Sequence, residues 1–307
     1  MRSKSSVWRY FDIYLTTAVV LLTAYGILVI RSAITGAPEF ENYDLRQLVF
    51  AIAGFIAMLV IASIDYRYLT SSHWYIYGFF IVLLVLVLLL GQISNAAQRW
   101  IPLGPINLQP SELGRVFLTI AFAQFLATRE REMGRFSNTI ITIAYFGFPI
   151  SLIFIQPDLG MSILYVVIWF TIIVMAGLPL SHFLVLTAVG LIGLGTVLPF
   201  LQPYQLNRIT TFIDPSSDPE QAFNVDQAVI SVGSGGWWGK GYMNGTQSQL
   251  GFLRVQHTDF IFSMLTEEMG FFFGAAVVMF LIGFILFRIL RVASLTPDPA
   301  GRYICVG

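Results

Sequence analysis

Charge is scarce in this chain. Only 11% of its 307 residues are Asp, Glu, Lys or Arg, against about 25% in an average soluble domain, while 56% are hydrophobic. A surface so poor in charge excludes an ordinary water-soluble globule and points to lipid as the solvent. Neither sign of charge is in excess: 17 basic and 17 acidic residues cancel, so there is no bulk attraction to nucleic acid. Cysteine occurs once, at Cys305, which excludes an internal disulfide and any cysteine metal cluster. The histidines His73, His182 and His257 are too scattered to suggest a zinc site. No cofactor is required by the sequence, although a divalent cation acting on an anionic substrate stays open.

What the chain has instead is long apolar runs. A transmembrane helix needs about 20 mostly apolar residues, and eight segments approach or exceed that length: 13–30, 47–64, 73–91, 111–127, 139–156, 160–176, 181–201 and 258–287. The first is too long for a signal-peptide core and lacks a small-residue cleavage site, so it reads as a retained helix. Breakers such as Gly36-Ala37-Pro38 and Gly177-Leu178-Pro179 mark the connections. The expectation is an all-α polytopic membrane protein with eight transmembrane helices, in which 202–257 forms one large extracytoplasmic loop and 1–307 forms a single membrane domain. The closing Gly301–Gly307 segment reads as the start of a further membrane segment.

Basic residues orient the bundle. With the N-terminus inside, the cytoplasmic segments hold Arg2, Lys4, Arg9, Arg67, Arg129, Arg131, Arg135, Arg288, Arg291 and Arg302. The outer segments hold fewer over a longer stretch: Arg31, Arg46, Arg99, Arg208, Lys240 and Arg254. Seven crossings then place 202–257 outside.

Ionisable groups near membrane depth are functional candidates. Glu112 and Arg115 open the fourth helix at i,i+3 spacing and can pair; a purely structural ion pair is the competing reading. Asp158, in Gln156-Pro157-Asp158-Leu159-Gly160, is placed to cap the sixth helix. Both groups are expected in the outer leaflet, on the same side as Asp259, which suggests a shared polar cavity. Met269–Phe287 spans roughly 28 Å at 1.5 Å per residue, so Asp259 should lie roughly 15 Å further out, near the interface. Thr258 is the expected N-cap, with Asp259 in the first turn, where the helix dipole favours an ionised carboxylate. Helical spacing then puts Ser263, Thr266 and Gly270 beneath Asp259 as a polar stripe lining a cavity.

In the outer segment, Arg208–Asp214 and Asn224–Gly233 read as short amphipathic elements. The run Ser234-Gly235-Gly236-Trp237-Trp238-Gly239-Lys240-Gly241 is rich in glycines that permit close backbone approach to an anion, with Lys240 supplying charge. It is not a Walker loop, because Ser234 stands where the first glycine belongs and Gly241 where Ser or Thr belongs. The paired tryptophans fit interface anchors as well as sugar platforms. Gln247 and Gln249 offer amides suited to sugar hydroxyls or acetamido groups.

The stretch from Gly233 to Gly270, with NGTQSQLGFL followed by HTDFIF, resembles the signature of the SEDS family (shape, elongation, division and sporulation), its elongation branch in particular. Trp100-Ile101-Pro102-Leu103-Gly104, Gln109-Pro110-Ser111-Glu112 and Gln156-Pro157-Asp158-Leu159-Gly160 are similar to further family motifs. The resemblance implies a ten-helix membrane enzyme of the bacterial cytoplasmic membrane that polymerises lipid II into glycan strands, beside a class B penicillin-binding protein. It implies that Asp259 is the essential aspartate and that Glu112 lies in a functionally important motif. His257 and Thr258, in the same block as Asp259, join the candidates for substrate contact. Three departures stand out: Arg115 where Lys is usual, Arg254-Val255 where Pro-Glu is common, and no counterpart of the last two helices. The chemistry so implied is attack of an acceptor 4-hydroxyl on the donor's anomeric carbon. Asp259 would act as general base, and Arg115, Arg208 and Lys240 would offset charge on the departing pyrophosphate. The competing class is a lipid II flippase or transporter. Transporters tend to place ionisable groups at the midplane and to carry inverted repeats.

Overall fold

The computed structural model describes residues 11–35, 40, 42–94, 97–103, 106–197, 201, 203–214, 217–250, 252 and 257–307. Arg2, Lys4 and Arg9, the Gly36–Pro38 turn and Arg254-Val255 lie outside the described residues. Along the chain run α1 (Ile13–Ala33), α2 (Tyr43–Ala62), the short α3 (Tyr66–Ser71) and α4 (His73–Leu90). Strands β1 (Gln92–Ser94), β2 (Ala97–Leu103) and β3 (Ile106–Leu108) follow. Then come α5 (Pro110–Ala127), α6 (Phe136–Ile155), α7 (Leu159–Met175), α8 (Leu180–Val197), α9 (Pro203–Ile213), α10 (Pro219–Gly235), α11 (Thr246–Gln249) and α12 (Ile261–Gly270). A π-helical segment, Phe271–Ala276, joins α12 to α13 (Val277–Leu295), and α14 is Pro299–Val306.

Among the described residues, five helical stretches are long and apolar enough to cross a membrane: α1, α2, α4, α6 and the continuous Ile261–Leu295. Leu159–Met175 and Leu180–Gly193 are apolar but shorter. Helix α2 makes the environment plain. It has no buried residue, and Val49, Ile52, Ile56 and Ile61 are all exposed. A helix apolar all round that is not buried in protein is solvated by lipid. The chain is thus an all-α polytopic membrane protein in outline.

The structure adds three features to that outline. A small antiparallel sheet, in the order β1-β2-β3, lies between α4 and α5, with Gln92 opposite Trp100 and Ile101 opposite Leu108. Segment 202–257 is substantially helical, holding α9, α10 and α11. The expected 258–287 helix begins at Ile261 and is interrupted. Gly270 takes φ 71° and the next six residues wind as a π-helix before α-geometry resumes. An interruption of this kind re-aims the chain within a span.

By its internal contacts the chain forms two compact units. The first comprises 1–64 and 207–288. Its apolar centre joins Val29 and Ala33 of α1 to Met264 and Leu265 of α12, with Tyr25 and Val278 alongside. Hydrogen bonds tie α1 to the segments that continue α12: Tyr25 donates to the Phe273 carbonyl at 2.6 Å, and Arg288 of α13 donates to Asp12 at 2.6 Å and 2.9 Å. Asp12 itself caps α1 by accepting from the Leu15 amide at 3.0 Å.

The second unit comprises 65–206 and 289–307. Its core is Phe80 and Leu84 of α4, Leu118, Phe122 and Leu126 of α5, Phe146 and Ile153 of α6, Tyr165 and Ile172 of α7, and Tyr303 of α14. Helix α5 lies at its centre, buried from Leu118 to Leu126 along one side, while Glu112 and Arg115 stand in its first turns with exposed side chains. Polar bonds inside this unit cross between helices. Tyr165 donates to the Ser111 carbonyl at 2.7 Å, and Gln156 Nε2 donates to the Leu84 carbonyl at 3.1 Å.

Candidate active site

Residues His257–Phe260 form a turn that feeds α12. The N-cap is Phe260, not Thr258. The first i to i−4 bond runs from the Met264 amide to the Phe260 carbonyl at 3.1 Å, while the Thr258 carbonyl accepts from Ile261 at 3.5 Å. Asp259 therefore sits just outside the helix and is exposed. It stands before the first turn, and the expected dipole contribution is correspondingly weaker. His257 packs its ring against Phe40 at 4.2 Å and Tyr43 at 5.4 Å.

The stripe expected beneath Asp259 is present but faces protein. Ser263, Thr266 and Gly270 are all buried, and the side of α12 that carries Thr266 is covered by the end of α10. A Cβ on Gly235 would strike the Thr266 carbonyl, and one on Gly239 would strike the Glu268 carbonyl. The glycine-rich run thus brings main chain onto main chain. Four backbone bonds fasten the junction: Lys240 N to Glu267 O at 3.0 Å, Gly241 N to Glu268 O at 2.9 Å, Phe271 N to Gly236 O at 2.9 Å and Phe272 N to Trp237 O at 3.2 Å. Gly239, at φ 80°, adopts the left-handed backbone that this approach requires.

Beneath the junction lie two adjacent buried carboxylates. Glu267 is 0% exposed and accepts, at a single oxygen, from Lys240 Nζ at 2.8 Å, Gln247 N at 2.8 Å and Thr246 Oγ1 at 3.2 Å. Lys240 Nζ also reaches Thr246 Oγ1 at 2.6 Å. Glu268 accepts from Ser32 Oγ of α1 at 2.6 Å, with the Met243 backbone and the Gln249 side chain also engaging it. Gln247 is held by its backbone amide, while its side-chain Oε1 is buried without a hydrogen-bond partner among the described residues. The backbone of Arg208 lies in α9.

The second unit holds the other candidates. Arg115 pairs with Glu112, both side chains remaining well exposed. Asp158 caps α7, accepting from the Met161 amide at 3.2 Å, as expected. It also lies 3.8 Å from Arg99 Nε and accepts from Gln109 Nε2 at 3.1 Å. Arg99 further donates to the carbonyl of Pro157. The structure thus groups Asp158 with Arg99 and Gln109, pairs Glu112 with Arg115, and gathers Lys240, Gln247 and Gln249 on the glutamates of α12.

Sequence reasoning left out Glu267, Glu268, Ser32, Thr246 and Arg99. For the glutamates the signal was available: two carboxylates side by side in an apolar span are costly unless partnered. Among the described residues, no cluster of His, Cys, Asp and Glu could hold a metal ion.

Long apolar helices, α2 bare of buried residues, and an exposed carboxylate just ahead of α12 define the chain as a polytopic membrane protein. The family model for FtsW, RodA and SpoVE, described as a cell cycle protein, matches residues 13–307, and the chain belongs to this family. It is 33% identical to the probable peptidoglycan glycosyltransferase FtsW of Neisseria gonorrhoeae, over 94% of this chain and 71% of that protein. It is 33% identical to the peptidoglycan glycosyltransferase MrdB of Escherichia coli, over 99% and 82%, and 32% identical to stage V sporulation protein E of Bacillus subtilis, over 96% and 82%. Among solved structures it resembles the rod shape determining protein RodA of Thermus thermophilus, with a TM-score of 0.69, 26% identity and coverage of 97% and 80%. It also resembles a chain from a peptidoglycan synthase complex, with a TM-score of 0.76, 28% identity and coverage of 97% and 82%. These relatives do not favour the flippase reading.

Proposed function

We infer that this chain is a peptidoglycan glycosyltransferase that polymerises lipid II into β1→4 glycan strands on the outer face of the bacterial cytoplasmic membrane, in the service of cell elongation and shape. The observation that carries the reading is Asp259: an exposed carboxylate at the head of a membrane-spanning helix, within the HTDFIF block, in a chain whose relatives are named for this activity. An exposed carboxylate can take the proton of the acceptor's 4-hydroxyl as that oxygen attacks the donor's anomeric carbon. The bond to the lipid pyrophosphate breaks on the opposite face, and the α-linked donor yields a β-linked product.

The other roles follow the motifs. Gln247, Gln249, His257 and Thr258 are proposed to contact the sugars, amide, imidazole and hydroxyl groups suiting sugar hydroxyls and acetamido groups. Glu112, Arg115 and Asp158 are carried as substrate contacts by motif match, and Arg115 and Arg208 are the proposed counter-charges for the pyrophosphate. A divalent cation on the pyrophosphate fits the same chemistry. Lys240 was expected with these cations, but its ammonium is engaged by Glu267 and Thr246. In this reading the N-terminus is cytoplasmic, eight spans cross the bilayer, and 1–307 works as one membrane domain. The nascent glycan strand is the product, and a class B penicillin-binding protein is the crosslinking partner.

The test is Asp259→Asn in the purified protein supplied with lipid II. Polymer should vanish while membrane expression is unchanged. Near-normal polymer from this variant would overturn Asp259 as the base.

A further inference from the structure

Glu267 is fully buried in a membrane-spanning stretch, where an ionised group persists only when paired and hydrogen-bonded. Its Oε1 is filled by the Lys240 ammonium, the Thr246 hydroxyl and the Gln247 amide. All three donors belong to the one segment that also carries Gln249. The carbonyls of Glu267 and Glu268 take the amides of Lys240 and Gly241 from the same segment. The neighbouring Glu268 engages Ser32, Met243 and Gln249. Two adjacent residues of α12, eight and nine positions beyond Asp259, therefore hold 240–249 through both side chain and main chain.

We propose that Glu267 and Lys240 form a positioning pair, an internal ion pair that fixes the 240–249 segment relative to Asp259, and that Lys240 is not a ligand for the substrate. This rests on the reading of Asp259 and the segment as the glycosyltransferase site. Removing either partner alone leaves a charge uncompensated in a poorly hydrated place. Removing both leaves a neutral amide and an apolar chain of similar size, which is tolerated far better. A substrate-binding lysine behaves differently, because nothing done at position 267 restores it.

The experiment is a double-mutant cycle with Glu267→Gln, Lys240→Met and the combined variant, in the purified full chain. Hydrogen exchange of the 240–249 amides, without substrate, reads the clamp, with the buried Leu118–Leu126 stretch of α5 as the folding control. Lipid II polymerisation reads the consequence. Each single variant should lose protection across 240–249 and show KM raised about tenfold, with kcat within about threefold. The double variant should recover protection and most of the affinity. A double variant as impaired as Lys240→Met would overturn the proposal, as would single variants with wild-type protection. Should a single variant fail to fold, the double variant decides alone by the same criteria. A wild-type chain that makes no polymer strikes the functional reading only, since the exchange cycle is read without substrate.

Discussion

Ser32 Oγ donates to Glu268 Oε1 at 2.6 Å, joining residues 236 positions apart in the chain. The bond ties the C-terminal turn of α1 to the helix that follows Asp259. It satisfies a carboxylate that is 1% exposed. Ser32→Ala removes one donor from a buried charge, a loss of about 1–3 kcal/mol. A lowered thermal midpoint in detergent should report it. Glu268→Gln retains an acceptor for Ser32 and should be milder than Glu268→Ala.

Gly239→Ala is expected to be among the most damaging small substitutions. The position is left-handed, and the added methyl meets the Glu268 carbonyl, which is backbone and cannot swing away. The strain exceeds the roughly 1 kcal/mol of an ordinary Gly→Ala mismatch. Gly233→Ala, in α10 with open space around it, should be neutral or stabilising by about 0.5–1 kcal/mol. Melting curves of the two variants side by side check the contrast.

Asp12 gives a pH prediction. Burial alone would raise its pKa, but the Leu15 amide and the Arg288 guanidinium outweigh burial and hold it below the ordinary carboxylate range. A depressed folded pKa contributes stability that is present above the unfolded pKa of about 3.9 and is lost as pH falls through the folded value. Asp12→Asn keeps a capping oxygen but gives up the ion pair with Arg288, and should cost up to about 1 kcal/mol near neutral pH. Its melting temperature should converge with that of the wild type as pH is lowered below about 4.

At Asp158, substitution by Ala removes the cap of α7 together with one partner each of Arg99 and Gln109. A cap alone contributes about 1 kcal/mol, so the loss should exceed that. Asp158→Asn keeps a capping oxygen and should recover most of it, read by the same unfolding assay.

Much of the scaffold was legible because lipid imposes long apolar runs. The expected 73–91 helix is observed at His73–Leu90, and 139–156 at Phe136–Ile155. Asp158 was recognisable as a cap because capping is local. The sheet was not legible, since β1 and β3 have only three residues each, too few for alternation to register. The break at Gly270 was hidden for a related reason: residues on both sides of it are apolar, and composition does not report a change of helix type. At the candidate site, the HTDFIF block pointed to Asp259 without help from the fold. The partner of Lys240 is 27 residues away, and the glycines beside it are explained by a helix they approach only after folding.

Around the two tryptophans, the joint between the glycine-rich run and α12 is made by peptide groups. Trp237 and Trp238, in the middle of that joint, are 63% and 69% exposed and rest on Phe271, Phe272 and Phe273. Attachment and display are therefore carried by different atoms. The indoles can be exchanged for other side chains, altering what this end of the span offers to lipid or to a neighbour, while every bond that sets the depth of the segment is left in place.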